Sequence, residues 1–120
     1  MKRKTIAIDF DGVIHRYSKG WQNGAIYDPP MDGALDAVKK LATNNRLIVF
    51  STRAKDPKMH LEMISWLDKH GFAPYFSSVT HEKAIAHIYI DDRGLRFADW
   101  SNTMETLTEM KFVDDQMSLL

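Results

Sequence analysis

"TIAIDFDGVIH", residues 5–15, is the stretch whose reading decides the fold of this chain. Thr5, Ile6, Ala7 and Ile8 run without polar alternation straight into Asp9, Asp11 and Gly12. A continuous apolar run marks a strand covered on both faces. Carboxylates at the end of such a strand cost free energy unless a ligand or a counter-charge uses them. The stretch therefore predicts a buried strand over 5–8 whose end carries chemistry, and Gly12 lets the backbone turn sharply and approach a ligand closely.

Working outward, three more runs read as strands: "RLIVF" at 46–50, "YFSSV" at 75–79 and "HIYI" at 87–90. Between them lie two helical patterns. In "PPMDGALDAVKKLATNN" the apolar Ala34, Leu35, Val38, Leu41 and Ala42 recur at helical spacing, and Asn44 and Asn45 supply a stop. In "DPKMHLEMISWLDKHG", Asp56 fits the N-cap, Pro57 the first turn and Gly71 the position just past the end, with Met63 and Trp66 on the packing stripe. A third helix is expected from Ser101 or Asn102 to about residue 113, with a tail to 120. Residues 12–30 hold turn formers without a helix period and read as a loop or small hairpin. Strands alternating with helices specify an α/β fold: a three-layer, doubly wound (Rossmann-like), mainly parallel sheet. The 120 residues form one domain, its core at about 4–100.

Composition narrows the function classes. Hydrophobic residues make up 44% and charged residues 27%, the balance of a soluble globular protein. Sixteen basic and 16 acidic residues give a formal net charge of +0, so a global electrostatic footprint for nucleic acid or an anionic membrane is missing. Without cysteine, disulfides, thiolate metal sites and cysteine nucleophiles are excluded. The first apolar run is too short for a secretory signal, and no run approaches the roughly 20 apolar residues of a membrane span. A cytoplasmic protein without a membrane partner is the expectation.

In doubly wound sheets, ligand chemistry gathers at the carboxyl ends of the strands. The first strand delivers Asp9 and Asp11 there, the second Ser51, Thr52 and Arg53, and the late strand Asp91 and Asp92, with Lys83 just before it. Four carboxylates in one cleft repel one another unless cations neutralise them, and Lys83 and Arg53 offset only half. A hard divalent ion, Mg²⁺, held by Asp9, Asp11, Asp91 and Asp92 would complete the balance. Gly12, Ser51, Thr52, Arg53 and Lys83 then become candidates for binding a phosphate. In such a site Asp9 can attack phosphorus and Asp11 can serve as general acid and base.

The ordered set "DFDGV" (9–13), "LIVFST" (47–52), Lys83 and "YIDDR" (89–93) resembles the four motifs of the haloacid dehalogenase superfamily of phosphohydrolases. The resemblance covers residues 5 to about 100. It implies Asp9 as the nucleophile, Asp11 as the acid/base and Ser51, with Thr52 as fallback, holding the phosphoryl oxygen. It also implies Lys83 as the third-motif lysine, at least one of Asp91 and Asp92 on Mg²⁺, and the Phe10 carbonyl as a further ligand. The gaps where larger members insert a cap hold only a loop and one helix, so the chain looks capless. That implies an open site for a phosphorylated substrate: a macromolecule such as a phosphoprotein or a nucleic-acid end, or a small molecule covered by a partner subunit.

Two further readings stand beside a phosphatase: a metal- and phosphate-binding regulatory module without turnover, and a signalling receiver domain. The receiver fits less well, because "YFSSV" ends in no aspartate. Each residue also has a plain structural reading. Arg53 is as well placed to pair with Asp92 or another carboxylate as to bind substrate. Arg93 and Arg96 read as surface pairing or stacking residues. His81 and His87, six apart, lack the spacing of a zinc helix, and the five histidines read as structural or exposed. Trp21 reads as a loop anchor ahead of a substrate-stacking residue.

Overall fold

The computed structural model describes residues 3–82, 86, 88–91 and 95–113. Lys83, His87, Asp92, Arg93 and the tail from 114 lie outside the described residues.

Five strands form one sheet: β1 (Lys4–Asp9), β2 (Asn45–Phe50), β3 (Ser78–Thr80), β4 (Ile88–Asp91) and β5 (Leu95–Arg96). Their spatial order is β3-β2-β1-β4-β5, and every pairing is parallel. The helices are α1 (Ala34–Asn44), α2 (Pro57–Lys69) and α3 (Trp100–Glu109). The expected α/β arrangement with a parallel, Rossmann-like sheet is therefore present. The chain lays β2 and β3 to one side of β1 and then crosses to place β4 on the other, so the strand order reverses beside β1.

One face of the sheet carries the core. Ile6 and Ile8 lie in register with Leu47 and Val49, and Ile90 with Ile8. These five share one buried cluster with Val38 and Leu41 of α1, Met63, Trp66 and Leu67 of α2, and Trp100 and Leu107 of α3. Among the described residues all three helices thus join the same core on the same face, so two of the three expected layers are described. The opposite face still buries Ala7 and Ile48. There Phe50 and Tyr89 meet edge to face, ring centroids 6.3 Å apart.

Local signals account for most boundaries. Asp56 caps α2 as expected, its carboxylate accepting from the backbone N–H of Lys58 (2.8 Å) and Met59 (3.3 Å), with Pro57 in the first turn. The helix ends in a Schellman motif: Phe72 N–H donates to Leu67 O (2.8 Å) and Gly71 N–H to Asp68 O (3.1 Å), with Gly71 at φ +84°.

Other boundaries differ from expectation. Pro74, whose fixed φ suits a tight turn, lies in a 3₁₀ turn over Ala73–Tyr75, so β3 begins only at Ser78. The third helix starts at Trp100 because Asp99 is its cap, accepting from Asn102 N–H at 2.8 Å, and it ends at Glu109. Strand β5 was not expected; two residues carry too little pattern to mark a strand. No described helix is long and apolar enough to cross a membrane.

Candidate functional site

The reversal of strand order beside β1 marks the edge on which the candidate site is built. In an open α/β sheet the loops leaving the two strands at such a reversal diverge and open a crevice at the carboxyl ends. Asp9 ends β1 and Asp91 ends β4. The last paired residues of these strands are Ile8 and Ile90, so Asp9 and Asp91 are neighbours one register step further on. Phe50 pairs with Asp9 on the other side, and Ser51 follows it. Asp9, Asp11, Ser51 and Asp91 are thus brought to one edge of the sheet from three strands.

The turn after β1 is wound around the Phe10 carbonyl, which accepts from the N–H groups of Val13 (3.3 Å), Ile14 (2.9 Å) and His15 (2.9 Å). Gly12, at φ +79°, closes the turn by donating to His15 O at 2.8 Å. A carbonyl already accepting three N–H groups has no lone pair left for a cation. The Phe10 carbonyl therefore does not fit the ligand role expected of it. Asp9 Oδ1 accepts from Phe10 N–H at 2.8 Å, which orients its carboxylate.

Asp11 is clamped. Arg53 Nε donates to Asp11 Oδ2 (2.8 Å) and Arg53 Nη2 to Oδ1 (3.1 Å), a two-pronged pair. Arg53 Nη1 donates to Gly24 O (2.6 Å), and the guanidinium lies 4.9 Å from the Trp21 ring centroid. Only 2% of Arg53 is exposed. With three of its N–H donors occupied, it serves as a structural partner of Asp11 rather than as a free cation at the mouth of the site. Its pairing partner is thus Asp11, the "other carboxylate" left open by the sequence.

His15 completes the clamp and was not singled out from the sequence. It is fully buried, stacked on Phe10 with ring centroids 5.5 Å apart, and its Nδ1 lies 2.9 Å from Asp11 Oδ1. The backbone N–H of Asp28 points at His15 Nε2 (3.2 Å). Since an N–H can only donate, Nε2 is the accepting nitrogen and the ring proton sits on Nδ1, facing Asp11. A sequence clue did exist: His15 closes an otherwise apolar turn four residues after Asp11.

Two indoles hold the loop over this edge: Trp100 Nε1 donates to Val13 O (3.0 Å) and Trp66 Nε1 to Asp28 O (3.2 Å). Asp28 is held below the usual carboxylate range by hydrogen bonds from the Ser18 side chain and from its backbone N–H, the latter 2.6 Å long. Tyr17, in the left-handed region at φ +58°, has its hydroxyl pKa raised by burial and then by the nearby Asp11 charge. Trp21 remains 49% exposed, with Arg53 against its ring.

Among the phosphate candidates, Ser51 is buried: its N–H donates to Thr80 O (2.9 Å) and its Oγ accepts from Arg53 N–H (3.3 Å), capping the turn over Thr52–Lys55. Thr52 is exposed on that turn. Lys83 and Asp92 lie outside the described residues.

Among the described residues there is no group of three or more His, Cys, Asp or Glu side chains arranged to hold a metal ion. The pair Asp9 and Asp91 remains, an all-oxygen set of two carboxylates. That suits Mg²⁺, which takes one or two carboxylates and completes its shell with water and phosphate oxygens. Asp11, with its oxygens turned to Arg53 and His15, fits a proton-handling role better than a metal-ligand one. No protein-family model, curated protein or solved structure matches this chain.

Proposed function

We propose that this chain is a Mg²⁺-dependent phosphomonoester hydrolase of the capless haloacid dehalogenase type, working through an aspartyl-phosphate on Asp9. The observation that carries the reading is the meeting of Asp9, Asp11, Ser51 and Asp91 at the carboxyl edge where the strand order reverses. Two carboxylates at adjacent strand ends form an all-oxygen pair of the kind that Mg²⁺ takes.

Asp9 and Asp91 would hold Mg²⁺, which supplies the positive charge that lets a carboxylate approach a phosphate dianion. Asp9 attacks phosphorus, and the bond from phosphorus to the ester oxygen breaks. The leaving oxygen takes its proton from Asp11. Water then attacks the acyl phosphate, Asp11 takes that water's proton, and inorganic phosphate departs, leaving Asp9 a carboxylate and Asp11 protonated as at the start. Ser51, backed by the Thr52–Lys55 turn, is the hydroxyl beside the phosphoryl oxygens. Arg53 holds Asp11 in place.

The test is phosphate release from para-nitrophenyl phosphate with Mg²⁺. Asp9→Asn is expected to remove it to background, and a wild-type protein no faster than Asp9→Asn refutes the proposal. Trifluoroberyllate with Mg²⁺ is expected to raise the melting temperature of the wild type but not of Asp9→Asn.

A further inference from the structure

His15 is a buried imidazole for which the reaction above has no use. It sits at the centre of a chain of directed contacts. From the helix side, Trp66 Nε1 donates to the Asp28 carbonyl (3.2 Å). The Asp28 N–H donates to His15 Nε2 (3.2 Å), and His15 Nδ1 reaches Asp11 Oδ1 (2.9 Å). The ring is walled by Phe10 at 5.5 Å, Tyr27 at 5.3 Å, Trp66 at 5.7 Å and Tyr17 at 5.8 Å between centroids. Its own backbone is tied into the Phe10 turn and, through isolated bridges, to Asp11 and Pro30. Nothing in this arrangement leaves the imidazole free to rotate or to exchange its tautomer.

The consequence falls on Asp11. A carboxylate offers about four lone-pair sites. Arg53 takes two, one on each oxygen, and His15 takes a third on Oδ1. Arg53 alone would fix the plane of the carboxylate, but His15 decides which oxygen carries the spare site: with Oδ1 accepting twice, Oδ2 retains it. A proton handed to a leaving group must travel along one such direction, and a small misplacement of the donor is expensive in rate.

We infer that His15 is a positioning residue for Asp11, acting as a fixed Nδ1–H donor that reserves Asp11 Oδ2 for proton transfer. The inference rests on the phosphohydrolase reading. It makes His15 matter most where the leaving oxygen needs a proton: an alkyl phosphate demands general-acid help, whereas para-nitrophenolate departs without it.

The test compares wild type, His15→Phe, which fills the aromatic cage without either hydrogen bond, and His15→Gln, which can donate to Asp11 and accept from Asp28. With Mg²⁺ present, His15→Phe is expected to lose at least about tenfold more kcat on ethyl phosphate than on para-nitrophenyl phosphate, and His15→Gln to recover most of that difference. Equal losses on both substrates, or no recovery with Gln, overturn the inference. Proton–nitrogen NMR of wild-type His15 supplies an arm independent of turnover. The Nδ1–H tautomer with a slowly exchanging proton is expected, and an Nε2–H tautomer overturns the inference whatever the activity. If wild type hydrolyses neither ester while the Nδ1–H tautomer is present, the inference falls with the enzyme reading, and the intact tautomer shows that the reaction failed rather than the contact.

Discussion

Replacing Arg53 by Met, close in length and apolar, tests the core of the site most severely. The change removes two hydrogen bonds to Asp11 and one to the Gly24 carbonyl, together with the contact to Trp21. It leaves a carboxylate with His15 as its partner and a carbonyl without its donor. Removing one member of a buried ion pair costs about 3–5 kcal/mol, because the other charge stays desolvated. The Asp11 side chain is 19% exposed, so water recovers part of that loss and the lower end, about 3 kcal/mol, applies. Against a whole-domain stability of about 5–15 kcal/mol this is a large fraction. At an m-value of about 1.5 kcal/mol/M it moves the urea midpoint down by about 2 M. Equilibrium urea unfolding followed by circular dichroism reads this directly. Adding Asp11→Asn removes the stranded charge, so the double variant is expected to be at least about 1 kcal/mol more stable than the sum of the single changes predicts. A loss below about 1 kcal/mol for Arg53→Met, or strict additivity in the double variant, would refute the clamp as a coupled unit.

Three other outcomes follow from local geometry. Gly71→Ala keeps ordinary van der Waals space, with Leu35 Cδ2 at 3.8 Å from the added carbon, so its cost is the left-handed backbone alone, about 1–2 kcal/mol, visible as a lower melting temperature. Trp100→Phe leaves the Val13 carbonyl without its donor at 3.0 Å and is expected to cost about 1–3 kcal/mol while lowering the yield of phosphate release, since Val13 belongs to the turn carrying Asp11. His70 has its pKa pushed below the ordinary histidine value by burial first and by Lys69 second. A depressed folded-state value means stability is full above about pH 6.5 and falls as the pH drops toward the folded pKa, where the unfolded chain binds the proton first. His70→Gln should flatten that slope in unfolding experiments between pH 7 and 5; an unchanged slope would assign it to other groups.

Reading the chain from residues alone recovers what short-range physics controls. The strand over 5–8, the caps Asp56 and Gly71, and the first two helices each depend on neighbours a few positions away, so their signals are written locally. Where a local signal was weak, the boundary moved: Pro74 placed a turn where a strand start was expected, and the two-residue β5 carried no pattern. The acidic residues at the strand ends were legible for the same reason, since a charge ending an apolar run is conspicuous. His15 was passed over because a single buried histidine in a turn has no periodicity to announce it.

By itself the sequence determined that acidic side chains would stand at strand ends of a parallel α/β sheet, because apolar runs, caps and glycines act over a few residues. Only the tertiary structure decided which of those ends meet. The order β3-β2-β1-β4-β5 sets Asp91 beside Asp9, and it brings Arg53 to Asp11 across 42 residues and to Gly24 across 29. Contacts over such separations are selected by how the whole core closes, and the residues that make them carry no local mark of their partners.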